Sequence, residues 1–206
     1  MNFPVDETLS DSDTSLAVRD LGHHERLLYL YSKEHPRHFC VVANFVSSRS
    51  PWEFAYALHR VQGCYPIFNV SIRETARKSP AFHWSDQPLQ VTVVLSPHRN
   101  DWQAVVETEL AQAFAVEPGP LLRATILQNK NHTSLVITMH HAIADAIAAT
   151  ALVEALMKFL SGEPVEARPL NPSLEALLEK CVSDRADHRA VSASDPRKFI
   201  DRKSVV

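Results

Sequence analysis

The fold can be worked out from residues 134–146, which read SLVITMHHAIADA. The run SLVITM is short, apolar and rich in β-branched residues, which is typical of a buried strand. His140 and His141 follow it directly, and from about Asp145 to Leu160 the pattern predicts a helix. Polar residues recur at every fourth position of that helix and nearly all others are apolar, so we expect it to be buried on most sides. The stretch predicts a strand-to-helix turn that carries two histidines.

These histidines are well placed for acid–base chemistry. A strand fixed in a sheet holds the backbone rigidly, while the turn presents its side chains to a cavity. Histidine has an ordinary pKa near neutrality, so it can accept a proton and return it. A nearby carboxylate such as Asp145 can orient the base, or can lock the turn through an arginine elsewhere.

Other interpretations of the same residues stay open. A histidine pair at a strand end also occurs as a packing or surface feature, and aspartate is a favoured helix cap. Imidazole and carboxylate both bind zinc. Adjacent residues of a strand point to opposite faces, so at most two of His140, His141 and Asp145 would converge. We therefore expect no metal site here.

The flanking sequence predicts a mixed sheet with helices packed against it, an α/β fold. LLRATIL at 121–127 precedes SLVITM, and the polar residues 128–132 between them predict a hairpin. FCVVANFV at 39–46 predicts another buried strand, and SPWE at 50–53 predicts a helix start with a capping box. Ala55, Leu58 and Val61 form the expected buried stripe of that helix, which Gly63 is placed to stop.

Further helices and strands are predicted on both sides. Leu27, Leu28, Leu30 and Tyr31 suit a helix from Gly22 to Pro36, and apolar residues between Trp102 and Phe114 suit another. Short strand candidates lie between residues 65 and 95: PIFNVSI, AFHW and QVTVVL. SLEALLEKCV, from Ser173 onward, predicts one more short helix, whereas residues 183–206 are charged and read as a linker or tail.

Composition sets the limits of the function. The chain has 206 residues, of which 45% are hydrophobic and 22% charged, as in an ordinary globular domain. Its net charge of −3 predicts no affinity for nucleic acid or anionic membranes, and no apolar run reaches the roughly 20 residues of a membrane span. Three scattered cysteines and an acidic, polar amino terminus favour the cytoplasm. We expect a loose segment 1–20, a folded subdomain 21–170 and a linker or tail 171–206.

Several segments together resemble the condensation-domain and chloramphenicol acetyltransferase-like superfamily of acyltransferases. HHAIADA at 140–146 matches the family motif HHxxxDG at every fixed position except the last. FAVEPGPLLRATIL at 114–127 is similar to the family segment that ends in GPLLRA and precedes the same strand pair. Three more segments are similar to family segments: SPWEFAYALHRVQGCYPIF at 50–68, AIAATALVEALMKFLSGEPV at 146–165, and PLNPSLEALLE at 169–179, the last as in polyketide-associated and alcohol acyltransferases.

The resemblance implies an enzyme of two similar α/β halves, each like a chloramphenicol acetyltransferase subunit. It implies transfer of an acyl group from a thioester, on carrier-protein phosphopantetheine or coenzyme A, to a hydroxyl or amine, in secondary-metabolite or lipid biosynthesis. No tightly bound cofactor is implied. By the same resemblance His141 is the catalytic base, His140 a supporting residue, and Asp145 a structural residue paired with an arginine. Candidate arginines in this chain are Arg19, Arg26 and Arg123.

Two departures from the family pattern matter. Ala146 stands where the family has glycine, which permits backbone conformations that alanine tolerates poorly. Family members are also about twice as long, and residues after 180 resemble nothing in the second half. We therefore expect an excised half, a subunit of a split enzyme, or a half that pairs with itself. The alternative is a non-catalytic interaction module that binds a carrier protein or a partner chain.

Overall fold

The computed structural model describes residues 17–75, 78–95 and 101–193. The helices of this part are α1 (His23–Ser32), α2 (Pro51–Gly63), α3 (Trp102–Ala111), α4 (Ala146–Leu160) and α5 (Leu174–Ala193). Its strands are β1 (Arg19–Asp20), β2 (His38–Val46), β3 (Val70–Thr75), β4 (Lys78–Trp84), β5 (Gln90–Leu95), β6 (Leu122–Asn129) and β7 (His132–His140). None of these helices is long and apolar enough to cross a bilayer.

The larger sheet is mixed, as predicted. Its strand order is β2-β7-β6-β5, in which β7 is antiparallel to both of its neighbours and β5 is parallel to β6. The predicted hairpin joins β6 to β7, with Asn129 opposite His132. At the other end of the sheet His38 lies opposite His140 and Phe39 lies opposite Met139. The end of β7 is thus flanked by strands on both sides.

Helices cover both faces of this sheet. One face meets α2 and α4, which also pack against each other. The core between them is apolar and fully buried: Phe54, Leu58, Ile126, Ile137, Leu152. The other face meets α3 and carries polar side chains, among them Cys40, Thr125 and Thr138. Residues at alternating positions of one strand therefore enter two different environments.

A smaller antiparallel sheet has the strand order β1-β4-β3. The strand prediction for residues 66–72 was wrong in its first half, because Pro66–Asn69 form a 3-10 turn and β3 begins at Val70. The Asn69 side-chain amide donates to the Gln62 and Tyr65 carbonyls and holds this turn at the end of α2. A proline lacks the backbone N–H that a strand pair requires, and a side chain that hydrogen-bonds to the backbone competes with strand pairing. Both therefore favour a turn over a strand here.

Local signals set the start of α2. Ser50 accepts a hydrogen bond from the Glu53 N–H at 3.3 Å, and the Glu53 carboxylate accepts one from the Ser50 N–H at 2.8 Å. This is the predicted capping box, with Pro51 in the first turn. In FAVEPGPLLRATIL, Gly119 has a φ of +75°, and a Cβ there would lie 2.9 Å from Cβ of Ser71. Glycine is required at that position.

Burial of the helices differs from expectation in three places. In α1 the buried side chain is Tyr29, whereas Leu27 is 63% exposed. Helix α4 is not buried on most sides: Ile147 is 80% exposed and Met157 is 53% exposed. No side chain of α3 is fully buried, and the helix ends at Ala111 rather than at Phe114. Each helix packs on one face only, because no described element covers the other.

The last helix is longer than the sequence pattern indicates, since α5 continues to Ala193. Its first turn is tied to α1, because the His24 N–H donates to the Glu175 carboxylate at 3.0 Å. The division into segments 1–20, 21–170 and 171–206 stays a prediction. Residues 1–16 of the first segment and 194–206 of the last lie outside the described residues.

Candidate active site

The turn after β7 is held by the strands on either side of it. The His140 N–H donates to the Leu121 carbonyl at 3.0 Å, and the His141 N–H donates to the Arg37 carbonyl at 2.9 Å. The Ile143 N–H closes the turn on the His140 carbonyl at 3.1 Å. Backbone bonds in both directions fix the position of each histidine Cα atom, which is the rigidity that a catalytic group requires.

His141 is half-buried and stacks on a phenylalanine. Its imidazole lies against the Phe39 ring with centroids 4.5 Å apart and planes 28° apart. No described residue hydrogen-bonds either of its ring nitrogens. Phe39 therefore limits the rotation of the imidazole while both nitrogens remain able to meet a substrate proton. This contact was not predictable from the sequence, because it depends on the β2–β7 register and not on any local pattern.

His140 faces the opposite side of the sheet and is 2% exposed. Its Nδ1 accepts a hydrogen bond from the Ala142 N–H at 3.1 Å and so braces the turn. Burial lowers the pKa of His140 from 6.5 to about 4, with smaller contributions from His38 and His141. The imidazole is neutral at pH 7. The two histidines do not converge, as the alternation of strand side chains predicts.

Asp145 is the N-cap of α4. Its Oδ1 accepts a hydrogen bond from the Ala148 N–H at 2.8 Å, the cap interpretation that the sequence left open. Among the described residues no arginine forms an ion pair with Asp145. Arg19 instead pairs with Glu25 at 2.6 Å, and Arg123 pairs with Glu109. The Asp145 carboxylate is exposed and therefore hydrated. It has no desolvation cost that an arginine partner would need to offset.

Ala146 is accommodated without strain. It is the first residue of α4, and every described non-glycine residue has a negative φ. The flexibility of glycine is therefore not needed at this position, and alanine is the better helix former. The family glycine is absent here, yet the turn and the helix that follows it are regular.

A buried ion pair anchors the polar face of the sheet. Arg123 and Glu109 have side chains 9% and 12% exposed, and Thr125 and Thr138 donate hydrogen bonds to the Glu109 carboxylate at 3.2 and 3.1 Å. The Arg123 guanidinium also donates to the Gln112 carbonyl at 2.6 Å and so holds the end of α3. This pair explains the arginine of the GPLLRA segment, and sequence analysis did not identify it.

A separate cleft of about 430 Å³ lies at the start of α4. Asp145, Ile147, Arg19 and Arg168 are among its lining residues, whereas His141 is not. In the part of the chain that the structure describes, no three histidine, cysteine or acidic side chains lie close enough together to hold a metal ion. His141, the catalytic base that the family resemblance implies, stays the candidate catalytic residue.

Comparisons with known proteins agree on one family. The family model described as Condensation domain matches residues 29–175. Bacitracin synthase 3 of Bacillus licheniformis is 34% identical over 73 residues, which are 34% of this chain and 1% of that protein. Among solved structures, the condensation domain of the Monacolin K polyketide synthase MokA has a TM-score of 0.69 at 15% identity, covering 93% of this chain and 45% of that chain.

A second solved structure is nearly as similar. The starter condensation domain of rhizomide synthetase RzmA has a TM-score of 0.65 at 16% identity, covering 90% of this chain and 48% of that chain. The chain thus spans less than half the length of these two solved structures. At such identities the likeness shows the fold, which is the predicted α/β fold of chloramphenicol acetyltransferase type. With the family model matching most of its length, the chain belongs to the condensation-domain family.

Proposed function

We propose that this chain contributes the catalytic base, His141, to an enzyme that transfers an acyl group from a thioester to a hydroxyl or amine. In this reaction the hydroxyl oxygen or amine nitrogen of the acceptor attacks the thioester carbonyl, and a ring nitrogen of His141 takes the proton from that attacking atom. The carbon–sulfur bond then breaks, and the proton passes to the leaving thiolate. The observation that carries the proposal is the rigidly held, Phe39-stacked imidazole of His141 with both nitrogens free of described partners.

The supporting residues act through the turn. His140 braces it through the Ala142 N–H, and Asp145 starts α4 through the Ala148 N–H. Neither side chain lies where it would exchange a proton with His141, because one faces the opposite side of the sheet and the other caps a helix. We assign both to positioning. No cofactor is needed for this chemistry, and the thioester of phosphopantetheine or coenzyme A is itself the donor substrate.

A second half, a companion chain or a second copy of this chain would complete the site. Strand β2 is an edge of the larger sheet among the described residues, so one side of its backbone has no neighbouring strand. An unpaired edge is a ready place for another chain to join. This edge begins beside the Phe39–His141 stack, and Ile147, 80% exposed, lies six residues after His141. A partner at this end of the sheet would enclose His141.

We infer the biological setting from the family. The matched synthetases by name make secondary metabolites, and we propose the same class of pathway here, with lipid biosynthesis as the other setting. The three cysteines are free thiols in the described residues, which fits the reducing cytoplasm. An acyl carrier protein or an acyl-CoA would deliver the donor.

A non-catalytic interaction module is the second candidate, because the open edge of β2 among the described residues could equally serve to bind a partner chain. An assay of thioester consumption separates the two. The purified chain is mixed with an acyl-phosphopantetheinyl carrier protein and with octanoyl-CoA, each with and without candidate partner chains, and amine and alcohol acceptors are supplied. Release of free thiol together with the acylated acceptor supports the enzyme. Binding of the carrier protein with no product under any combination supports the interaction module.

A further inference from the structure

A second cleft lies on the face of the sheet opposite to His141. It has a volume of about 220 Å³ and is bounded by the end of α1, the start of β2 and the segment after α3. The side chains that matter for its chemistry are Tyr29, Lys33, Arg37, His38, Phe114 and His140. None of them has a role in the acyl transfer proposed above except His140, whose Nδ1 braces the turn.

The hydrogen bond of His140 fixes where its proton lies. Because the Ala142 N–H donates to Nδ1, that nitrogen carries the lone pair, and in the neutral ring the proton must be on Nε2. Nε2 is buried and has no hydrogen-bond partner among the described residues. A buried donor without an acceptor costs free energy, so native structures nearly always give it one. His140 is one of the residues that line the cleft, and its unsatisfied N–H donor lies just beneath that lining.

The rim of the cleft is cationic. Lys33 pairs with Glu74, which also accepts a hydrogen bond from the Tyr29 hydroxyl at 3.1 Å. Arg37 is exposed, stacks over Tyr31 at 4.1 Å, and forms no ion pair with a described carboxylate. His38 is committed elsewhere, since its Nε2 lies 3.0 Å from the Glu109 carbonyl. The uncommitted polar groups at the cleft are thus donors: one N–H beneath the lining and one guanidinium at the rim.

We propose that this cleft binds a small organic carboxylate, with one carboxylate oxygen on His140 Nε2–H and the Arg37 guanidinium at the mouth. Only an acceptor satisfies a buried N–H, and a single net cation at the rim suits a monoanion better than a phosphate dianion. The apolar surfaces of Phe114 and Val116 line the same space and suit a short carbon chain. A ligand there would give His140 the acceptor that the protein does not supply.

NMR of the His140 ring tests the proposal in the whole chain. The ¹⁵N-labelled protein is titrated with sodium butyrate, and with sodium chloride at equal ionic strength. We expect a saturable shift of the His140 Nε2–H resonance with butyrate and none with chloride. Arg37→Gln should weaken butyrate binding about threefold, because an exposed cation contributes modestly. Arg60→Gln, an exposed arginine on α2, is the matched control and should leave binding unchanged.

Three results would overturn the proposal. One is an unchanged His140 resonance in a chain whose spectrum remains that of the folded protein, which leaves an ordered water as the acceptor. Another is an equal shift with chloride, which reports ionic strength alone. The third is saturable binding of inorganic phosphate with no response to butyrate, which assigns the cleft to a different anion.

Discussion

His140 and His141 are neighbours in the chain but meet different surroundings. The first is 2% exposed and lies beside Phe114, after the end of α3, and the second is half-buried against Phe39. A strand end separates them because successive side chains leave a sheet on opposite faces. His140 therefore shapes the turn as a neutral imidazole, whereas His141 is the histidine that we propose contacts the substrate.

The lowered pKa of His140 predicts a loss of stability in acid. Below pH 6.5 the unfolded chain takes up a proton on this residue that the folded chain does not accept until about pH 4. Each pH unit in that window should therefore cost about 1.4 kcal/mol of the free energy of unfolding, a cost absent above pH 6.5. Urea unfolding of the wild type and of His140→Gln between pH 7 and 4 measures it.

The His140→Gln chain should be less stable at pH 7 but should lose less stability on acidification. His59→Gln, at an exposed position of α2, is the control and should follow the wild type. Parallel pH profiles for the wild type and His140→Gln would show that His140 is not buried as a neutral ring.

Asp145 should contribute to stability as a helix cap. Asp145→Ala leaves the Ala148 N–H without its acceptor and should lower the free energy of unfolding by ~1 kcal/mol. Asp145→Asn keeps a capping oxygen and should lose much less. Thermal and urea unfolding of the two variants decide the matter. A loss for asparagine as large as that for alanine would point to the charge, and hence to an ion pair, instead of the cap.

At the scale of the elements, short sequence motifs correctly predicted those features that neighbouring residues determine, such as a helix start or a hairpin. The four residues SPWE were enough to place the start of α2, and the five polar residues after LLRATIL were enough to place the hairpin. Periodicity was a poorer guide to burial. Ile147 and Met157 of α4 are apolar yet exposed, because whether an apolar residue is covered depends on which element packs there. The Phe39–His141 stack and the Arg123–Glu109 pair join residues distant in sequence, so no local pattern announces them.

The buried pair should fix the position of α3. Arg123→Met leaves the Glu109 carboxylate buried without its cation and should cost about 3–5 kcal/mol of unfolding free energy. The double variant Arg123→Met with Glu109→Gln removes the unpaired charge and keeps an acceptor for one of Thr125 and Thr138, while the amide NH2 can donate to the other hydroxyl, so it should recover much of the loss. Urea unfolding of both variants provides the test. Failure of the second substitution to restore any stability would assign the cost to packing and not to charge.

At the scale of the whole molecule, the chain has the architecture of about half of its structural relatives. Its described surface leaves large apolar side chains uncovered at several places, and the edge of β2 is open beside the candidate base. The residue pattern predicted the strand-to-helix turn, whereas the need for a second half, which the family resemblance implies, stays a prediction. A surface suited to a second half was not predictable, because sequence periodicity does not distinguish a core-facing apolar residue from an interface-facing one.

Association should involve the end of the sheet that carries His141. We expect the isolated chain to self-associate, or to bind a companion chain, in sedimentation velocity experiments. Ile147→Lys should weaken this association, because it places a charge near the turn. Leu95→Lys is the matched control: Leu95 is 79% exposed but lies on β5, at the far edge and the opposite end of the sheet. Equal effects of the two lysines, or a strictly monomeric chain with every partner tested, would contradict the proposed interface.

The role of His141 is tested most directly by single-turnover acyl transfer in the assembled enzyme. His141→Ala should reduce the rate by about 10² to 10⁴-fold, the usual contribution of a general base, while the melting temperature stays close to that of the wild type. His59→Ala is the exposed-histidine control and should retain the full rate. A His141→Ala enzyme that transfers the acyl group at the rate of the wild type would contradict the assignment of His141 as the catalytic base.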